Sequence, residues 1–416
     1  MQIDAERLAR RLQELSAFGK NAAGGIDRSV GCEADRRARA YITDTWRGMG
    51  LRVWVDPIAN LWAATQPPTQ AVAAGGPVVM GSHHDAVPNG GMFDGALGVL
   101  MATEVLQTLL ENGYAFRHEF RLVSFTAEEP NPFNISTMGS RSITGKLSVE
   151  QLAAAHDAAG HNLAEVIRSL GGDIEKLPQS LLKPGDFAAF LECHIEQGRN
   201  LFERGLSVAT VSRITGIYRE CITVVGEANH AGTTMMKDRH DALLGAAELT
   251  LALEDIARGT GRRDVVATVG KLEVFPNSAN IIPSRVSLMM ELRTSDAALR
   301  GELLAQFTAR LGEIALRRGI AFERTVNLDQ REVQMDPAAR AAVAKGCAEV
   351  QREPVELVSM AGHDSVHMAA IGKTGMLFVQ SVNGVSHSAE EYTRSEDVTR
   401  AANAMLNAAV ELDLTC

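Results

Sequence analysis

The stretch Gly81–Val99, GSHHDAVPNGGMFDGALGV, sets His83, His84 and Asp85 a few residues ahead of a second acid, Asp94, in otherwise small and apolar surroundings. Imidazole nitrogens and carboxylate oxygens without a nearby thiolate suit zinc, manganese, cobalt or nickel. Asp85 lies two residues beyond His83, where a carboxylate can fix the tautomer of a ligand imidazole. Asp94 carries two compatible readings, an ion ligand or the N-cap of the helix that opens at Gly95. Farther along stand Glu128 and Glu129 in FTAEEP, His194 in LECHIEQG and His387 in GVSHSAEEYT. Paired glutamates at a strand end are either solvated or, beside an ion, divided between ligation and proton handling. With His83 and one glutamate, His194 and His387 complete a donor set in which Asp94 is able to bridge two ions.

Elements of a recognisable order position these residues. GPVVMGSHH reads as a buried strand, GALGVLMATEVLQTLLENG as a helix closed by Gly113, and EFRLVSFTAEE as a strand again, the order of a parallel or mixed α/β sheet. Functional groups of such sheets gather at the C-terminal ends of strands, and AAFLECHIEQG repeats the arrangement with His194 and Glu196. From about Ile214 the order becomes β-α-β-β-α-β, a split βαβ unit. The expectation is a metal-binding α/β domain of residues 1–213 and 331–416, with a mixed sheet flanked by helices, and an inserted domain of residues 214–330. Neither an internal repeat nor a low-complexity tract is seen beyond the short loop TQPPTQAVAAGG.

The 416 residues exceed what one core usually supports, in keeping with two domains. The 41 basic and 51 acidic residues give a net charge of −10, which argues against nucleic acid or an anionic membrane as partner. Cys32, Cys193, Cys221, Cys347 and Cys416 show no C-x-x-C spacing, which suggests neither a disulfide framework nor a cysteine zinc site and fits a reducing cytoplasm. At the N-terminus Ile3, Leu8, Leu12 and Leu15 recur at helical spacing between charges, an amphipathic helix rather than a signal peptide. No apolar run is long and uncharged enough to span a bilayer.

The ordered motifs GSHHDAVPNGGMFDGALGV, FTAEEP, LECHIEQG, ANHAGTTMMKDRHDAL, PNSANIIPSRVSLMMELR, AGHDS and FVQSVNGVSHSAEE resemble those of the hydantoinase/carbamoylase branch of the M20 metallopeptidase-like amidohydrolases, over nearly the whole chain. That branch includes N-carbamoyl-L-amino acid hydrolases, allantoate amidohydrolase and β-ureidopropionase. The resemblance implies that His83, Asp94 and His194 hold one divalent ion, that Asp94, Glu129 and His387 hold a second, and that Glu128 is the general base. It implies that Gln197 faces the scissile group and that His230 supports the developing oxyanion. Asn280 and Arg293 match residues that hold the substrate carboxylate, with Gly362 adding a backbone amide; an Arg at a strand end also pairs readily with Glu or water. The inserted domain becomes a lid and dimerisation domain, with His230 reaching the neighbouring subunit's site of a homodimer.

Departures from the family pattern fall on loops. The acidic pair continues as EEPNPFNISTMGSR, Met92 stands where a basic or polar residue is usual, and Met235, Gln380 and Ala389 replace prolines. The expected activity is hydrolysis of a C–N bond in a small carboxylated substrate, an N-carbamoyl or ureido acid. The alternatives are an N-acyl-amino acid amidase of the same fold and a non-catalytic binding protein for amino-acid-like ligands.

Overall fold

The computed structural model describes residues 1–67 and 76–416, so residues 68–75 of the TQPPTQAVAAGG loop lie outside the described residues. The chain divides into two compact units, Met1–Ser212 with Gln334–Leu357 and Gly362–Cys416, and Arg213–Val333 with Val358–Ala361. The segment 358–361 departs from the division read off the sequence, because Thr215 N donates to Ser359 O at 2.8 Å.

In the first unit the strands Lys373–Val379, Ala189–Ile195, Val78–His83 and Phe120–Phe125 lie side by side and parallel. Antiparallel neighbours extend this centre, Val208–Ile214 on one side and Leu61–Ala64 followed by Arg52–Val55 on the other. Val78–His83 and Ala189–Ile195 are buried throughout, the condition of parallel strands covered on both faces and the reason they read as largely apolar runs without period-two alternation. One layer includes Ala5–Ser16, Ala96–Glu111, Pro337–Val350 and Ser395–Thr415, whose leucines, valines and alanines share a core with the sheet. A second core built around Phe125, Phe190, Ile143 and Ile167 forms a separate apolar cluster. The expected N-terminal helix is present, with Leu8, Leu12 and Leu15 buried and Asp4 capping it by accepting from Arg7 N.

Parallel strands bring their C-terminal ends to one edge, and the polar clusters follow those ends. His83 is the last residue of its strand, while Glu128 and Glu129 come three and four residues after Phe125. The EFRLVSFTAEE strand therefore stops before its acids, and Ala127 turns the chain at φ 54°.

The second unit has the expected split βαβ order. Its strands run Val265–Phe275, Arg285–Thr294, Gly216–Val225 and Ala321–Gln330 across the sheet, each antiparallel to its neighbour. Val286, Leu288, Met290 and Leu292 alternate into a core shared with the helices Ala242–Gly259 and Ala297–Arg318, the two-residue period of a sheet covered on one face. The strand expected from NIIPSRVSLMMELR begins only at Arg285, leaving Asn280 in the loop before it. No helix among the described residues is long and apolar enough to cross a membrane, and all five cysteines are free.

Candidate functional site

Among the described residues, two groups of side chains in the first unit present donor atoms close enough to hold a metal ion, His83, Asp94 and His194, and Asp94, Glu129 and His387, each within 4.8 Å. Asp94 belongs to both. Its Oδ1 lies 3.1 Å from His194 Nε2 and 3.7 Å from His83 Nε2, while its Oδ2 lies 3.3 Å from His387 Nε2. The capping role open for Asp94 is not realised, since Gly95 occupies the N-cap of Ala96–Glu111 and no side chain caps that helix. Gly95 has φ 62°, and a Cβ there would lie 2.2 Å from the His83 ring, so only glycine lets the helix begin so close to that imidazole.

The imidazoles are oriented from behind. His83 Nδ1 faces the Asp85 carbonyl at 3.3 Å and Asp85 Oδ1 at 3.4 Å, and His194 Nδ1 faces the Ile195 carbonyl at 3.0 Å. Each Nδ1–H donating to oxygen turns Nε2 toward Asp94, where loss of the Nε2 proton would free a lone pair for an ion. Asp85 also accepts from Glu128 N on Oδ1 and from Glu129 N on Oδ2, both at 3.1 Å, so one carboxylate holds the backbone of both glutamates as well as an imidazole. His84 points elsewhere, with Nε2 2.8 Å from Asp35 Oδ1 and Nδ1 2.7 Å from Ser124 Oγ, a pairing that anchors the strand end.

Charge is concentrated here. Burial would raise the Asp94 carboxyl, but His194, His387 and His83 hold it well below the usual range. Burial also works against protonation of His83, yet Asp85, Glu128 and Asp94 raise that imidazole well above 6.5. The bond to Asp94 raises His387 to about 9. Burial with the repulsion of Asp94 lifts Glu129 to about 7, and burial with Glu129, Asp364 and Asp85 lifts Glu128 well above its ordinary value despite His83. Protons thus offset a crowd of carboxylates where divalent ions would do the same, and ion binding would release them. Glu129 Oε1 is buried without a hydrogen-bond partner and lies 3.5 Å from His387 Nε2, so the donor set fits divalent ions in geometry and chemistry.

Glu128 stands outside both groups, its Oε2 3.8 Å from His83 Nε2. Gln197, held at φ 57°, donates from Nε2 to Asp94 Oδ2 at 2.8 Å, and its buried Oε1 has no hydrogen-bond partner. Gly362 begins the last stretch of the unit, and a Cβ built on it would meet open space.

His230, Asn280 and Arg293 lie in the second unit. His230 Nδ1 accepts from Gly232 N at 3.0 Å and Thr233 N at 3.2 Å, which places its proton on Nε2. Asn280 is beside it, its carbonyl accepting from Ala231 N at 3.0 Å. Arg293 does form the pairing open to a strand-end arginine, Nε donating to Glu291 Oε1 at 2.6 Å and one terminal nitrogen to Met360 O at 2.7 Å. Asn280 lies ahead of the N-terminal end of the strand Arg285–Thr294, and Arg293 stands near its C-terminal end. The His230–Asn280 segments continue past Arg285, and the strand from Arg285 to Arg293 spans roughly 26 Å at about 3.3 Å per residue.

Several neighbours were not singled out from sequence. Glu391 Oε1 accepts from Phe93 N and Asp94 N, both at 3.0 Å, and Ser386 Oγ lies 2.9 Å from Glu391 Oε2 and 3.2 Å from Asp94 Oδ2. Glu192 is buried between Ser82 and Ser365, accepting from Ser365 N at 3.0 Å. Glu192, a glutamate inside the otherwise apolar AAFLEC, carried that signal in the sequence, whereas Glu391 stands in a polar stretch and carried none. The divergent loop after Glu129 is braced by Asn131, which accepts from Phe133 N and donates to the carbonyls of Glu129 and Ile135. Thr137 N returns to Glu128 O at 2.7 Å, so the loop's two prolines leave the backbone of the acidic pair supported.

A parallel-centred α/β sheet with two imidazole–carboxylate groups sharing one aspartate at its strand ends has the form of a metal-dependent hydrolase site. The chain belongs to peptidase family M20/M25/M40, whose profile matches residues 79–411. It is 37% identical over 410 residues to the N-carbamoyl-L-amino acid amidohydrolase of Geobacillus stearothermophilus, covering 99% of each chain. The ureidoglycolate hydrolase of Arabidopsis thaliana is 32% identical over 424 residues, covering 100% of this chain and 88% of the relative. Among solved structures, a hydantoinase/carbamoylase family amidase from Burkholderia multivorans superposes with a TM-score of 0.89 at 31% identity, covering 99% of this chain and 98% of that one.

Proposed function

We propose that this hydrolase cleaves the ureido C–N bond of an N-carbamoyl amino acid, with two divalent ions held by His83, Asp94 and His194 and by Asp94, Glu129 and His387. The observation that carries the reading is a pair of donor groups sharing Asp94 while a further carboxylate, Glu128, is left out of both. Two divalent ions bound there would supply charge stabilisation and a more acidic water. Glu128 takes the proton of the attacking water and returns it to the departing nitrogen. Gln197, whose Oε1 has no protein donor, accepts from a ureido N–H. His230, protonated on Nε2, donates to the oxygen that gains charge, an interaction commonly worth a few kcal/mol.

The substrate carboxylate falls to Asn280 and the remaining donors of Arg293, with the Gly362 amide. The separation of Arg293 from His230 and Asn280 within a unit supports a homodimer in which one subunit supplies the first residue and its partner the other two. Manganese, cobalt, zinc and nickel are the ions to try. Product analysis tests the reading: an N-carbamoyl-L-amino acid should yield amino acid, ammonia and carbon dioxide at least tenfold faster than the N-acetyl analogue yields acetate, about 1.4 kcal/mol of discrimination. Faster release of acetate would replace it with the N-acyl amidase.

A further inference from the structure

We infer that Glu391 is a positioning residue for the ion site, fixing Asp94 by holding its main chain while it also reaches the Ser386 hydroxyl beside His387. Glu391 Oε1 accepts from the consecutive amides of Phe93 and Asp94 at 3.0 Å each. Its Oε2 lies 2.9 Å from Ser386 Oγ, which is also 3.2 Å from Asp94 Oδ2 and belongs to the residue preceding His387. One buried carboxylate therefore spans the entry to the shared ligand and the turn that carries His387. The chain makes room for it, since a Cβ on Gly91 would lie 2.0 Å from Glu391 Oε1. The edge of Tyr392 against Phe93, with centroids 6.1 Å apart, holds the same two segments together beside this contact.

The arrangement mirrors Asp85, which spans the amides of Glu128 and Glu129. Two carboxylates that bind no ion thus each hold a pair of backbone amides leading into ion-binding acids. A pair of N–H donors left without an acceptor in a buried turn favours local rearrangement, and Asp94 would lose the orientation in which its two oxygens face different imidazoles.

The inference rests on the reading that these groups hold divalent ions, and cobalt(II) titration separates the two. Full-length parent, Glu391→Gln and Glu391→Ala are stripped with chelator, titrated with cobalt(II) and followed by visible absorption, with ion-free thermal unfolding as the control for folding. Glu391→Ala should bind cobalt(II) about 10- to 100-fold more weakly, with altered visible bands, because Asp94 serves both positions. Glu391→Gln, which keeps an acceptor for both amides, should stay within about threefold of the parent while unfolding at a similar temperature. Parental affinity in Glu391→Ala, or equal losses in both variants, would overturn the amide-holding role. A parent that takes up no cobalt(II) would instead overturn the ion-binding reading itself.

Discussion

Asp94 Oδ1 faces His194 and His83 while Oδ2 faces His387, and that division between two oxygens is what makes one side chain the hinge of the site. Residue types and spacing were enough to nominate Asp94, His83, His194 and His387, because ionisable groups are rare where core strands end. Spacing could not say whether Asp94 caps the helix, since an acid stands just before it; Gly95 at the N-cap, with no side-chain cap, answers that it does not. Nor could it tell His83 from His84, whose rings leave the strand end for different partners. Glu391 was less legible still, its role depending on amides almost 300 positions away. Glu128 and Glu129 are separable by measurement. Glu128→Gln should lower kcat by about 10²-fold or more with ion content unchanged, whereas Glu129→Gln should lose one ion per chain by elemental analysis. Equal ion loss in both would reverse or dissolve the assignment.

Elements carry the donors to one edge because four parallel strands share a direction, and the apolar runs that announce such strands were visible in the sequence. Where the EFRLVSFTAEE strand stops was less visible, since Ala127 gives no hint of its left-handed turn. The short helix Ser365–Met368 brings His367 into a buried place where Lys146 Nζ lies 3.1 Å from Nδ1 and Thr137 Oγ1 2.9 Å from Nε2. Burial, then Lys146 and Arg141, hold this imidazole well below 6.5. The unfolded chain therefore takes up the proton first, and stability present above about pH 6.5 is lost as pH falls toward the lower folded value. The destabilisation caused by His367→Asn should accordingly shrink between pH 7.5 and 5.5, by up to about 1.4 kcal/mol per pH unit below 6.5 in urea titrations. A destabilisation that stays constant across that range would exclude the linkage.

For the whole molecule, the alternation of strand and helix made a two-part α/β architecture readable, and the period-two pattern of Arg285–Thr294 announced a one-faced sheet. The return of 358–361 to the second unit was not readable, because it depends on a backbone pairing of Thr215 with Ser359. The distance between Arg293 and Asn280 was equally hidden, as nothing local says at which end of a sheet two motif residues finish. If the site is shared between subunits, inactive Glu128→Gln and inactive His230→Ala chains should recover about a quarter of parental activity after random exchange, since half the dimers then hold one intact site. No recovery after verified exchange would return His230 to its own chain.

Whether C–N hydrolysis depends on divalent ions at the Asp94 groups is read from ammonia release from an N-carbamoyl-L-amino acid before chelation, after it, and after ions are restored. Chelation should lower the rate at least about 10²-fold, about 2.7 kcal/mol in the barrier, and activity should recover as manganese, cobalt, zinc or nickel reaches two ions per chain. Ammonia release at an undiminished rate from protein verified to be free of metal would contradict that dependence.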